Sequence, residues 1–407
     1  MKTSSLSVMV VYLLCAGVVS AQEVGVRLIG KASIAGDLLD RSGLENVIGD
    51  KVPHNRLGSF GSGIDWTGKD DVYLACNDRG PGDGASAFRP RVQRLTITID
   101  EAAGTDGEVV KVELLGTTLL SDERGEAVWG YTGGYDTSDQ VAGVRVDPEG
   151  VRVDGAGGAF WISEEYGPWI ERYGADGKRT QRVVPPSKFM VEAPDGDAIS
   201  ELARNTKGRQ ANRGFEGLAR SADGSKLWAI LQSPLIQDGA SNEKGKRTGV
   251  NVRVLEVDVK TSGTRELVYV LEDASHGVSE ILGAEDGRLL VLERDGKPGA
   301  KARARAVYVC DITEATDVSE IDRLPAHGLP VGAKAMSKKL LIDLMNPAYG
   351  LTGEKMPEKV EGLCWGPKLK DGKRALIVTS DNDLKAEQPT WVWVFGIAAA
   401  EAQQPAK

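Results

Sequence analysis

Asn212-Arg213-Gly214-Phe215-Glu216-Gly217-Leu218-Ala219, a turn at Ala222-Asp223-Gly224-Ser225, then Leu227-Trp228-Ala229-Ile230-Leu231-Gln232-Ser233-Pro234: this stretch decides the fold. Asp-Gly between two apolar runs is the strongest short hairpin signal, because the turn needs residues that tolerate positive φ. The same grammar returns elsewhere. Val360-Glu361-Gly362-Leu363 leads through Asp371-Gly372 to Leu376–Asn382, and Val278-Ser279-Glu280-Ile281 leads through Asp286-Gly287 to Leu289–Arg294. Ser62–Trp66 leads to Val72–Gly80, and Ala142–Val146 leads to Ala159–Tyr166. Each copy is a short strand, a polar turn, and an apolar strand ending in acid or amide.

Copies spaced roughly 65 to 80 residues apart are the mark of radial β architecture. The expected fold is therefore all-β, a single β-propeller of five or six blades. Near the start, residues 24–32 alternate as a strand does. That strand is expected to complete the last blade beside Thr390–Phe395, because closing the ring with both termini removes exposed sheet edges.

The ends suggest an exported chain. Residues 1–21 read as a signal segment: Lys2, a short apolar run from Leu6 to Val19, and Val19-Ser20-Ala21 before Gln22. The run is too short to span a membrane. The propeller domain is expected over 22–397, with 398–407 as a flexible tail. The formal charge is -9. An acidic balance excludes a nucleic-acid backbone as partner, and a polyanionic substrate would need local arginine, lysine or a bound cation. Without Cys15, in the signal segment, Cys76, Cys310 and Cys364 remain, with no C-x-x-C pair. Zinc ribbons and disulfide scaffolds are thereby excluded, and the thiols are read as buried strand residues.

Aligning the copies collects Asp78, Glu165, Glu216, Glu280, Glu293, Glu361 and Asp381, with Arg79 and Arg294 beside two of them. In a propeller, residues at one phase of each repeat converge on the central channel. Carboxylates ~4 Å apart repel by a few kcal/mol per pair at an effective dielectric near 20. Protonation, arginine or a cation must relieve that. Oxygen ligands from several strands suit Ca²⁺; the structural alternative is that the acids pair with arginines and strand-end amides. Neither Asp195-Gly196-Asp197 nor Asp381-Asn382-Asp383 continues as an EF-hand loop, and there is no G-x-S-x-G, H-E-x-x-H, phosphate loop or dinucleotide fingerprint. The three histidines, His54, His276 and His327, lie outside the repeated motifs.

These motifs together resemble a known family. Asp78-Arg79-Gly80-Pro81, Glu165-Tyr166-Gly167-Pro168, the run 212–219 with Gln232-Ser233-Pro234-Leu235, Leu292-Glu293-Arg294, Glu361-Gly362-Leu363 and Ser380-Asp381-Asn382 are similar, in that order, to the phytase-like family described as "esterase-like activity of phytase". The resemblance spans about Leu57 to Phe395. It implies an exported propeller and hydrolysis of phosphate or carboxylic esters. The chain departs from the pattern at Gln232, where an acid is expected, which takes a ligand or base role away from that position.

Two readings follow. In one, a metal-assisted ester hydrolase holds a divalent cation, calcium first, on some of Asp78, Glu165, Glu280, Glu293, Glu361 and Asp381. Glu216, Arg79 and Arg294 then act on a small-molecule ester. In the other, a non-catalytic propeller binds a ligand or a protein, and the acids stabilise its axis with a cation.

Overall fold

The structure is a computed structural model that describes residues 25–49, 51–103, 108–134, 145–155, 157–239 and 248–398. Its described residues form five antiparallel four-stranded sheets and one two-stranded ribbon. The first blade runs Gly63–Trp66, Val72–Cys76, Arg91–Ile99, Val110–Leu119, from the axis outward. The second is Pro148–Val153, Phe160–Glu164, Ile170–Tyr173, Arg179–Val183. The third is Phe215–Arg220, Lys226–Leu231, Asn251–Asp258, Thr264–Val270, and the fourth Gly277–Gly283, Leu289–Arg294, Arg305–Asp311, Ser337–Asp343. The fifth combines Lys359–Lys368, Arg374–Asp381 and Thr390–Ile397 with Val26–Ile34 from the chain's start.

The ring therefore has five blades, and its closure is the expected one. Val26 pairs with Ile397 and Ile34 with Thr390, so the N-terminal strand is the outermost strand of the last blade. The five inner strands pack side by side in sequence order, and the fifth also packs on the first. Apolar side chains fill the wedges between blades, as where Leu218, Ala229 and Ile230 meet Ile281 and Val291. The signal segment at 1–21, Tyr135, Ala142–Val144 and 399–407 lie outside the described residues.

One expected strand is displaced. The second blade's inner strand is Pro148–Val153, not 142–146; of the latter, Arg145 is only bridged to Trp129. Pro148 is tolerated because it starts the strand, where no ladder N–H is needed. The connection 185–209 between the second and third blades carries a short helix at Ala198–Arg204 capped by Asp197. Residues 338–343 belong to the outer strand Ser337–Asp343 of the fourth blade.

The register explains how the acids are aimed. Pairing slips between Pro148 and Gly150, between Phe215 and Gly217, between Val278 and Glu280, and between Val360 and Leu363. The extra residue of such a bulge is unpaired and re-aimed. Glu149, Glu216, Ser279 and Glu361 hold that position. The next position is Gly150, Gly217 and Gly362, matched by Gly63 in the first blade, and the fourth blade alone puts Glu280 there. Glycine is required because neighbouring inner strands touch here. A Cβ on Gly217 would stand 2.6 Å from Ile281 N and 2.7 Å from Glu280 Cα. Gly217→Ala is expected to cost roughly 1–3 kcal/mol in denaturant unfolding, through overpacking against backbone that cannot yield. An unchanged midpoint would show that the inner strands separate freely.

Candidate functional site

The starts of the inner strands and the ends of the second strands meet at one mouth of the ring. The inner strands bring Asp147 and Glu149, Arg213 and Glu216, Ser279, and Lys359 and Glu361. The second strands bring Asp78 with Arg79, Glu165, Gln232, Arg294 and Asp381. All of these acids are buried.

They form two carboxylate groups. Asp147, Glu149 and Glu165 each offer an oxygen within 4.8 Å of the others. Arg79 donates its backbone N–H to Asp147 Oδ1 at 2.8 Å, and its guanidinium lies 3.7 Å from Asp147 Oδ2. Asp147 Oδ2 and Glu165 Oε1 are buried with no hydrogen-bond partner. The Glu165 and Glu216 carboxyls stand close enough for each to act on the other. Burial, with Glu216 next to it, holds Glu165 well above the usual carboxylate range. Burial, then Glu216 and Asp147, does the same to Glu149. Burial lifts Glu216 and Asp147 to about 7. Glu216 is oriented from behind: Gln232 Nε2 donates to its Oε1 at 2.7 Å, and Arg213 donates to Gln232 Oε1 at 2.6 Å.

The second group, Asp78, Asp381 and Asp383, is already answered by a cation of the chain. Lys359 Nζ lies 3.3, 3.0 and 2.6 Å from them. Burial opposes the Lys359 charge, but Asp381 and Asp78 more than offset that and hold its pKa well above normal. Burial still lifts Asp381, to about 6. Ser59 and the Gly80 N–H donate to Asp78. Between the groups, Arg294 donates to Glu361 at 2.6 Å and to Ser279 at 2.8 Å. Burial raises Glu361 to about 7.

Of the residues aligned from sequence, Glu165 and Glu216 thus meet directly, Asp78 and Asp381 meet around Lys359, and Glu361 meets Arg294. Glu280 and Glu293 stand elsewhere, each one residue out of phase. The bulge in the fourth blade places Ser279, not Glu280, at the mouth. Glu280 sits deeper, 2.9 Å from Arg152 and accepting the N–H groups of Leu218 and Ile281. At the strand ends it is Arg294 that shares the phase of Glu165. Glu293 turns between blades, where Tyr269 donates to it at 2.7 Å, His276 Nδ1 lies at 2.7 Å and Lys338 at 3.3 Å. Of the adjacent Glu164 and Glu165, Glu165 faces the mouth, and Glu164 accepts N–H groups of Tyr166, Gly167 and Trp169.

Asp147, Glu149, Arg213, Lys359 and Asp383 were not singled out from sequence. Glu149-Gly150-Val151 repeats Glu216-Gly217-Leu218 and Glu361-Gly362-Leu363, a signal the misplaced strand concealed. The histidines serve elsewhere: His54 accepts the Arg89 N–H, and burial brings its pKa down to about 4. Cys76, Cys310 and Cys364 are buried free thiols, as expected.

Residues 55–384 match the family "Phytase-like: Esterase-like activity of phytase". An "Uncharacterized secreted protein" of Arthroderma benhamiae is 26% identical over 394 residues, covering 79% of this chain and 73% of its own length. Among solved structures, a periplasmic gluconolactonase of Pseudomonas aeruginosa is 12% identical at TM-score 0.36, over 92% of this chain and 96% of that one. A gluconolactonase of Xanthomonas campestris is 12% identical at TM-score 0.33, over 91% and 97%. Likeness this slight carries nothing about chemistry. No helix among the described residues is long and apolar enough to cross a membrane.

Proposed function

The chain belongs to the phytase-like family, and from that premise we propose a metal-assisted hydrolase of small phosphate or carboxylic esters. One observation carries the reading: Asp147, Glu149 and Glu165 converge, with buried, unpartnered oxygens on Asp147 and Glu165, beside Glu216 and the arginines Arg79, Arg213 and Arg294. Such a donor set fits a hard divalent cation, calcium first, because it is all oxygen and comes from separate strands. The cation would supply the relief from carboxylate repulsion that protonation otherwise gives this cluster. When bound, it would supply electrophilic polarisation of the ester oxygen.

The remaining work falls to the chain's own groups. Glu216 near neutrality is suited to take the proton of an attacking water, and the Gln232–Arg213 pair fixes its carboxyl in place. Arg79 and Arg294 hold the ester's anionic oxygens and offset charge developing on them. Their own carboxylate partners, Asp147 and Glu361, keep them from swinging free.

Proton and cation compete for this site, which gives a pH signature. Glu216, Asp147 and Glu361 have folded pKa values near 7, above the ordinary carboxylate values near 4. Without a cation their stabilisation is full below about pH 4 and is lost as pH rises through about 7. With calcium the slope reverses, since binding needs the deprotonated groups. The calcium-induced rise in melting temperature is expected to be small at pH 5 and large at pH 8. In the same samples, phosphate release from phytate and an aryl phosphate, and cleavage of an aryl acetate, should need calcium and stop with chelator. A pH-independent calcium effect would remove the cation from this cluster.

A second reading keeps a specific observation of its own. Lys359 neutralises one acid group and Arg152 another, as a non-catalytic binding propeller with a stabilised axis would have it. Calcium-dependent melting without turnover on any of these esters would favour it. For the location, we infer export, from residues 1–21 and from the relative named as secreted.

A further inference from the structure

The ring has a second mouth, and its chemistry is opposite. Three positions beyond Gly63, Gly150, Gly217, Glu280 and Gly362, the same register place holds Trp66, Val153, Arg220, Gly283 and Trp365 in successive blades. They line a cavity of about 370 Å³ together with Arg152 and Arg374, a volume at the small end of the range for small-molecule sites. Gly283 leaves the space between the larger groups. The Trp365 indole donates to Gly283 O at 2.9 Å, which sets its ring as a wall, and the Arg374 guanidinium lies over that ring at 5.1 Å.

Two donors here are left over. Arg152, 2% exposed, spends its terminal nitrogens on Glu280 and on the carbonyls of Ile64, Val151, Ile281 and Leu363, yet its Nε is buried without a partner. Arg220 pairs with Asp154 at 3.0 Å, and its Nε is likewise buried and unpartnered. A buried N–H without an acceptor has lost its water and gained nothing in return, so the pocket favours a ligand that brings acceptor oxygens. The charges facing it are Arg152, Arg220 and Arg374 against Asp65 and Glu285, and Glu285 is held by Arg374. Asp65 is half-buried and accepts the Val153 N–H at 2.8 Å; its loss of solvation raises its pKa, which weakens its opposition to an anion. The Arg152–Glu280 pair fills the axis above, so the two mouths are chemically separate.

We propose that this cavity binds a small organic carboxylate, its oxygens on the Arg152 and Arg220 side and its apolar body between Trp66 and Trp365. The site does not depend on the hydrolase reading, since it uses none of the groups at the acidic mouth.

Benzoate titrated into the full chain by calorimetry at low salt tests it, with inorganic phosphate in parallel. The expected result is saturable binding of one benzoate, weakened about tenfold or more by Arg220→Gln and by Trp66→Leu, and unaffected by Glu216→Gln. Melting curves confirm that the variants fold; should Arg220→Gln fail, Trp66→Leu carries the same test, because its ring is partly exposed. Absence of saturable benzoate binding would overturn the proposal. So would an affinity indifferent to the variants, or phosphate displacing benzoate at lower concentration, which would make the pocket a simple anion hole.

Discussion

Glu216→Gln is expected to lower ester turnover by roughly 10²–10⁴-fold while the protein stays folded, the usual contribution of a positioned general base. Glutamine keeps the shape of the side chain and its oxygen as acceptor from Gln232. It removes a charge that burial and Glu361 already disfavour, so the melting temperature without calcium should hold or rise. The loss should fall on kcat more than on KM, because the base acts in the transition state. Gln232→Ala is the companion variant. It leaves the carboxyl in place but frees it to turn, and a smaller loss with a shifted pH profile is expected. Retention of full turnover in Glu216→Gln would move the base elsewhere in the mouth, or leave a propeller that binds without reacting.

The largest stability effect should come from the axis. Arg152→Leu leaves Glu280 deep among inner strands with its guanidinium partner gone, and removing one member of a buried ion pair costs about 3–5 kcal/mol. The same substitution cuts the ties from Arg152 to carbonyls in the first, second, fourth and fifth blades. Denaturant unfolding should therefore show a midpoint shift without loss of cooperativity. The double variant Arg152→Leu, Glu280→Leu is expected to recover part of the loss, since no charge is then stranded. If the single variant melts like the wild type, Arg152 is not what joins the inner strands.

Both predictions depend on details that differ in how far the chain betrays them. The hairpin at 212–234 is local: an Asp-Gly turn and two apolar runs are enough to specify it. Its copies specify the ring, because a four-stranded blade with two apolar faces must bury both against neighbours. Even the closure by residues 24–32 was legible, since an unpaired edge strand at each end of the chain has one economical solution. Single acids were less legible. Glu165, Glu216, Glu361, Asp78 and Asp381 were placed by simple repeat alignment. Glu280 and Glu293 were misplaced by it, because one extra residue in a strand changes which face a side chain takes. Nothing in Val278-Ser279-Glu280-Ile281 announces that Ser279 is the bulged residue.

By itself, then, the sequence determined an all-β ring, its termini meeting in one blade, and an acid-rich mouth built from strand ends. Those depend on hydrophobic period, turn chemistry and the need to bury edges, which act over a few residues at a time. Only the tertiary structure decided which acids converge with unpartnered oxygens, which three Lys359 neutralises, and which one is spent on Arg152. Those pairings join residues far apart in the chain across neighbouring blades, and which counter-charge stands beside a carboxylate there is fixed only when the ring closes.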